Sequence, residues 1–310
     1  MAFYEKEYKR RLLPVQGNSA LITLIAINLI IFVILTFFRV VHFLRYDDAN
    51  AALLAFDNNV LRWFTLPADL GTLGSRPWTV ITHMFTHIGV WHIFANMIWL
   101  WCFGYIMQDL TGNRKIIPVY LYGALAGAMA FIIAFNFLPA LVGQLPTATA
   151  LGASAGVMAV AVATTMVAPN YRIFPMLNGG IPLWLITTIY VIIDLATIPG
   201  NNPGGHIAHL AGAFTGFLFM VFFKRGYDWS EWMNNVWDWF DNLFDPDKGR
   251  KPHQFKDELF YKTNTRPYKK TPNVTEQRID EILDKINQRG YNSLTEEEKE
   301  LLKRASQEDI

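Results

Sequence analysis

The chain has 310 residues, of which 52% are hydrophobic, 15% aromatic and only 17% charged, and its formal net charge is +1. With the charges gathered at the two ends, this composition reads as an all-α, polytopic membrane bundle, and the lack of a dense Lys/Arg patch excludes a nucleic-acid surface. The single Cys102 excludes an intramolecular disulfide and any multi-cysteine metal site, and reads as a small packing residue.

Residues 1–19 form a basic N-terminal segment with Lys6, Lys9, Arg10 and Arg11, expected on the cytoplasmic side. The apolar run Ala20 to Phe38 is longer than a secretory signal's core and lacks a convincing cleavage site, so it reads as an uncleaved first span. Between Arg39 and Pro77 the chain has mixed polarity. Leu53 to Phe56 and Val60 to Phe64 suggest short interfacial helices, and Trp63 and Trp78 suit an aromatic belt.

Five further spans read at about 92–110, 115–138, 151–168, 181–198 and 206–223, divided by Gly, Pro and Asn breaks. They complete a six-helix membrane domain over 20–225. Arg114 with Lys115, Arg172, and Lys224 with Arg225 share one side with the basic N-terminus, while the loops near 139–150 and 199–205 have no basic residue. The positive-inside rule then places both termini in the cytoplasm, and the expected location is the cell (inner, cytoplasmic) membrane.

Residues 226–245 form a Trp-rich amphipathic helix, with Trp229, Trp232, Met233, Val236, Trp237, Phe240 and Phe244 on one side. That face can lie on the bilayer surface or pack against the cytoplasmic loops. Residues 246–273 read as a polar linker. The segment 274–310 reads as a helical hairpin, with Ile279, Ile282, Leu283 and Ile286 as a stripe, Gly290 as a stop, and Thr295 with Glu298 as a capping box. Too small for a large core, it has the form of a docking module for a protein partner.

Polar residues within the spans carry the chemistry. Ser154 stands in Leu151-Gly-Ala-Ser-Ala-Gly156, inside a stretch uncharged from Phe131 to Ala168. A serine there often only bonds the carbonyl one turn back. However, Ser154, His92 and His209 all fall near one end of three separate spans, on the side opposite the termini. Ionisable groups in a membrane are costly and usually face a partner or a water-filled cavity.

A Ser and a His on neighbouring helices are the minimum for acyl transfer, the imidazole taking the hydroxyl proton and returning it to the leaving amine. His92 and Asn96, one turn apart, can both point at a developing oxyanion alongside the Ser154 backbone N–H. With no evident acid to orient His209, the expectation is a dyad rather than a triad. Gly212 and Gly216 provide a small face for close approach to the Ser154 helix.

The G-x-S-x-G pattern also matches a hydrolase elbow, which needs a preceding strand that is missing here. His83, His87 and His92 could suggest a metal site, but without a nearby acidic or thiolate ligand no metal and no other cofactor is expected.

These residues resemble the rhomboid intramembrane serine proteases over about residues 20–225. The resemblance rests on Thr82-His83-x3-His87-x4-His92-x3-Asn96, on Gly152-Ala-Ser154, and on Ala208-His209-x2-Gly212-x3-Gly216. It implies an endopeptidase cutting transmembrane protein substrates within the lipid bilayer, with Ser154 as nucleophile and His209 as base and acid. His92 and Asn96, with Ser154, would complete the oxyanion hole, and the site would open to the outer face. It also implies a membrane-embedded first loop and a mobile fifth span. Four positions depart from the pattern: Ala155, Thr79, Gln108 and Met158. The alternative implied by such departures is an inactive relative that binds membrane helices for quality control or trafficking.

Overall fold

In a computed structural model, which describes residues 19–174, 176, 179–243 and 276–305, the first apolar run forms α1 (Ala20–Arg45). This helix runs seven residues past the expected Phe38. The polar groups there find partners: Arg39 donates to the Ile88 carbonyl at 3.1 Å, and His42 Nδ1 lies 2.8 Å from the Phe38 carbonyl.

The first loop is largely helical, with α2 (Ala49–Asn59), a tight turn Leu61–Trp63, the short strand β1 (Leu66–Pro67), α3 (Leu70–Ser75), α4 (Thr79–Thr82) and a second tight turn His83–Phe85. Asp48 and Asp69 cap α2 and α3, each accepting from a backbone N–H at 2.7 Å. Trp63 and Trp78 stack at 6.1 Å, with the Arg62 guanidinium 4.9 Å from the Trp63 ring.

Then follow α5 (Val90–Thr111), α6 (Ile116–Phe137), α7 (Pro139–Val142), β2 (Thr149–Ala150) and α8 (Ser154–Val167). After these come β3 (Arg172–Ile173), β4 (Ile181–Pro182), α9 (Leu183–Thr197), α10 (Pro203–Lys224) and α11 (Glu231–Leu243). The strands pair antiparallel in twos, β1 with β2 and β3 with β4. α1, α5, α6 with its preceding turn, and α10 are long and apolar enough to cross a bilayer, while α8 and α9 are shorter apolar helices of 14 and 15 residues. The result is an all-α, multi-pass membrane bundle.

α6, α8 and α10 form its centre. Lipid-facing helices gain nothing from leaving water, so association depends on close packing and interhelical hydrogen bonds. A Cβ placed on Gly212 or Gly216 of α10 would sit 2.2 Å from the carbonyl oxygen of Ala155 or Ala159 on α8, so both positions require glycine. Tyr120, fully buried on α6, donates to the Met84 carbonyl at 2.6 Å, and Thr164 on α8 donates to Phe103 of α5 at 3.1 Å. Ser19 donates to Gln108 at 3.0 Å and joins α1 to α5, a role that the amide at this position serves well.

The chain divides into two compact units, Met1–Phe244 and Asp245–Ile310, so the Trp-rich helix α11 belongs to the first. Trp229, just before it, stacks on Phe222 at 4.7 Å, Trp232 bonds to the Tyr122 hydroxyl, and Arg114 grips Asp238 at 2.9 and 3.1 Å. This helix therefore packs on the loop and on α6, while Trp232, Val236, Trp237 and Trp239 stay exposed.

In the second unit α12 (Glu276–Arg289) and α13 (Glu296–Ala305) form the expected hairpin, ended at Gly290 with φ +80°. Ile282 is buried but Leu283 is exposed, which narrows the expected stripe. Of the expected module boundaries, 246–273 lies outside the described residues.

Candidate active site

Ser154 is the first residue of α8, where a helix leaves its first N–H groups without intrahelical partners. Three contacts shape the loop that delivers it. The Gly152 N–H donates to the His83 carbonyl at 2.9 Å, the Ala153 N–H donates to His87 Nε2 at 3.2 Å, and β2 pairs with β1 just upstream. Gly152 is obligatory here, since its φ is +117° and a Cβ would meet His92 Cε1 at 2.8 Å. His87 is fully buried, and loss of hydration pushes its imidazole down to about 3. It is thus neutral, with Nε2 free to accept from Ala153.

Across the glycine contact, α10 presents His209 with Nε2 2.6 Å from Ser154 Oγ. Both line a cavity of about 310 Å³, together with His83, His92, Gly205 and Asn202. His92 lies beside Gly152 and lines the cavity. Asn96 does not line the cavity. It is buried one turn down, donating to the His92 carbonyl at 3.0 Å, with His87 Nε2 at 3.4 Å.

The absence of an acid beside His209, expected from the sequence, is corrected by the structure. Asp194 of α9, only 2% exposed, places Oδ1 3.0 Å from His209 Nδ1 and 2.8 Å from His206 Nδ1. The cause is the tight turn at Ile198–Asn202, which lays α9 antiparallel against α10. Asp194 and His206 are each six positions from Gly200 and so meet. Equidistance from a Gly/Pro turn between two apolar runs is a signal that could have found this pair.

The histidines singled out for a metal do not converge as a ligand set. Among the described residues the group with metal-ligand spacing is Asp194, His206 and His209, their ligating atoms within 4.8 Å of one another. The 2.8 and 3.0 Å separations are those of hydrogen bonds, so protons on the two Nδ1 atoms account for the geometry.

Of the departures from the rhomboid pattern, the Ala155 methyl seats over Gly127, whose own Cβ would be 2.6 Å away. Thr79 is buried, donates to the Arg76 carbonyl at 2.7 Å, and offers its own carbonyl to His83 at 3.0 Å. Met158 is buried one turn beyond Ser154.

A multi-pass helical bundle with a serine and a histidine hydrogen-bonded in a cavity within it defines the class of protein. Residues 74–226 match the Rhomboid domain, and the chain belongs to the rhomboid family. Residues 266–308 match a second family, described as a family of unknown function (DUF6576). The chain is 27% identical over 157 residues to RHOMBOID-like protein 12, mitochondrial, of Arabidopsis thaliana, covering 48% of this chain and 47% of that protein. It is 31% identical over 175 residues to Rhomboid-related protein 2 of Mus musculus, covering 50% and 53%. Over 69 residues it is 32% identical to Rhomboid protease GlpG of Salmonella newport, covering 22% and 25%. The chain thus spans about half the length of the first two relatives.

Proposed function

We propose that the protein is an intramembrane serine endopeptidase, hydrolysing peptide bonds in or next to transmembrane segments of membrane-protein substrates. The observation that carries this reading is the 2.6 Å contact between Ser154 Oγ and His209 Nε2 inside a cavity. One relative, 32% identical over 69 residues, has protease in its name, which is in keeping with this reading.

In the proposed reaction His209 Nε2 takes the Ser154 proton as Oγ bonds to the substrate carbonyl carbon. The oxyanion forms near the unbonded amides at the start of α8 and the His92 ring. Collapse breaks the C–N bond as His209 returns the proton to the amine. Water then hydrolyses the acyl-serine by the same proton path. Asn96 supports the hole by holding His92 and His87. A substrate helix must unwind locally, since its carbonyls are otherwise bonded and shielded. We place the protein in a cell membrane; the sidedness of basic residues favours both termini in the cytoplasm and the cavity opening outward.

The test is labelling of the purified protein, in detergent and in lipid, by a serine-reactive fluorophosphonate. Labelling is expected in wild type, absent from Ser154→Ala and His209→Ala, and reduced in Asn96→Ala. Folded wild-type protein that never labels would overturn the reading in favour of a non-catalytic binder of membrane helices.

A further inference from the structure

Resting on that reading, we infer that Asp194 is a positioning residue for His209, so that the site works as a serine–histidine–aspartate arrangement whose acid comes from α9. As a carboxylate, Asp194 can only accept, so the hydrogen in each of its two contacts belongs to the histidine. That places the His209 proton on Nδ1 and the lone pair on Nε2, facing the Ser154 hydroxyl 2.6 Å away. The opposite tautomer would turn an N–H toward the serine and leave no base. Asp194 therefore fixes the ring's reactive form, and its negative charge favours the imidazolium created when the serine proton transfers.

The same carboxylate also seats α9. Only three residues of this helix are buried, Leu183, Thr187 and Asp194, and two of the three are polar. Thr187 meets Thr165 of α8 at 2.7 Å, and Asp194 meets both histidines of α10. Trp184, Ile189, Ile192, Ile193 and Leu195 face outward. Where apolar contact drives no helix association, such polar contacts decide whether α9 stays in place. Asp194 thus contributes both to the orientation of the base, through His209, and to the seating of α9, through His206 and His209 together.

His206 separates positioning from tethering. It bonds the same oxygen as His209 but lies away from Ser154, so His206→Ala weakens the tether while leaving the carboxylate to His209. In full-length protein, Asp194→Asn is expected to slow fluorophosphonate labelling roughly 10- to 150-fold, the range for losing one charge-assisted hydrogen bond. Under the same conditions His206→Ala is expected to stay within about threefold of wild type, less than half a tenfold step.

Nitrogen-15 histidine NMR of the Ser154→Ala protein supplies a readout that a purely structural role would not move. His209 should be in the Nδ1–H form with Asp194 present, and should shift toward Nε2–H in Asp194→Asn. The inference is overturned if Asp194→Asn labels at the wild-type rate, or if both variants slow equally. It is also overturned if His209 is Nε2–H with Asp194 intact, a result that needs no variant at position 194. Wild type that fails to label, or Ser154→Ala that labels, would instead sink the assignment of Ser154.

Discussion

Gly212→Ala tests whether the glycine contact between α8 and α10 sets the reacting distance. The new Cβ would stand 2.2 Å from the Ala155 carbonyl oxygen, whereas side-chain carbons essentially never come closer than 3.0 Å to another heavy atom. Backbone on one side must retreat, by about 1 Å. His209 lies three residues before Gly212 on the same helix, about 4.5 Å along its axis, so it moves with the contact. The Oγ–Nε2 distance then grows from 2.6 Å to about 3.5 Å, beyond a hydrogen bond. Misplacement on this scale costs on the order of 100-fold in rate, alongside about 1–3 kcal/mol of overpacking. Fluorophosphonate labelling kinetics read the first effect and thermal unfolding in detergent the second. Because the clash is with a backbone oxygen, Ala155→Gly should not restore labelling. Gly212→Ala labelling within about threefold of wild type, in folded protein, would refute the claim that this contact sets the geometry.

Three further outcomes follow from other parts of the molecule. A chain ending at Phe244 should unfold and label like the full protein, whereas one ending at Arg225 loses Trp229 from its stack on Phe222 and should unfold at lower temperature. Chelator treatment should leave labelling unchanged; loss on chelation with recovery on added zinc would mean that a metal occupies the Asp194, His206 and His209 cluster. In the C-terminal hairpin, the Lys285 bond and then the Thr295 amide hold the Glu298 carboxyl down to about 2. A depressed carboxyl stabilises the fold above its ordinary value of 4.5, and that support is lost as pH falls through about 2. Protection of the Thr295 and Glu298 amides, taken as exchange relative to the intrinsic rate at each pH, should therefore be greatest above the ordinary value of 4.5 and fall toward pH 2, and Glu298→Gln should weaken this dependence.

Much of this arrangement was legible because membrane spans are long apolar runs whose order and turns are written locally. The grouping of Ser154, His92 and His209 is legible because each sits at the same end of its apolar run, and all three line one cavity. Asp194 was only half legible: its equal distance from the Gly200 turn points to His206, but that the same oxygen also reaches His209 depends on how closely α9 packs along α10. The direction of Asn96 was equally out of reach. Residues one turn apart share a helix face, but whether that face meets the cavity or the buried His87 depends on the helix's rotation in the bundle. At the end of α1, composition suggested a boundary at Phe38, while a tertiary partner for Arg39, the Ile88 carbonyl, and a local one for His42 accompany the helix onward. The α11 face was ambiguous for a sound reason: a single amphipathic stripe can serve the protein along one edge and leave its remaining tryptophans exposed along the other.

The brevity of α8 has a consequence for where chemistry can take place. Fourteen residues rise about 21 Å, against a hydrocarbon layer about 30 Å thick. With its far end at one boundary of that layer, the helix stops about 9 Å short of the other, and Ser154 is the residue at which it stops. In that placement the serine would lie beneath the headgroups, and water would reach it through the cavity that His92 and His209 also line. For the proposed hydrolysis, bilayer thickness then becomes a variable. Shorter acyl chains bring the headgroup plane down toward the serine, longer ones bury it further, and the bond selected on a given substrate should shift along its helix accordingly.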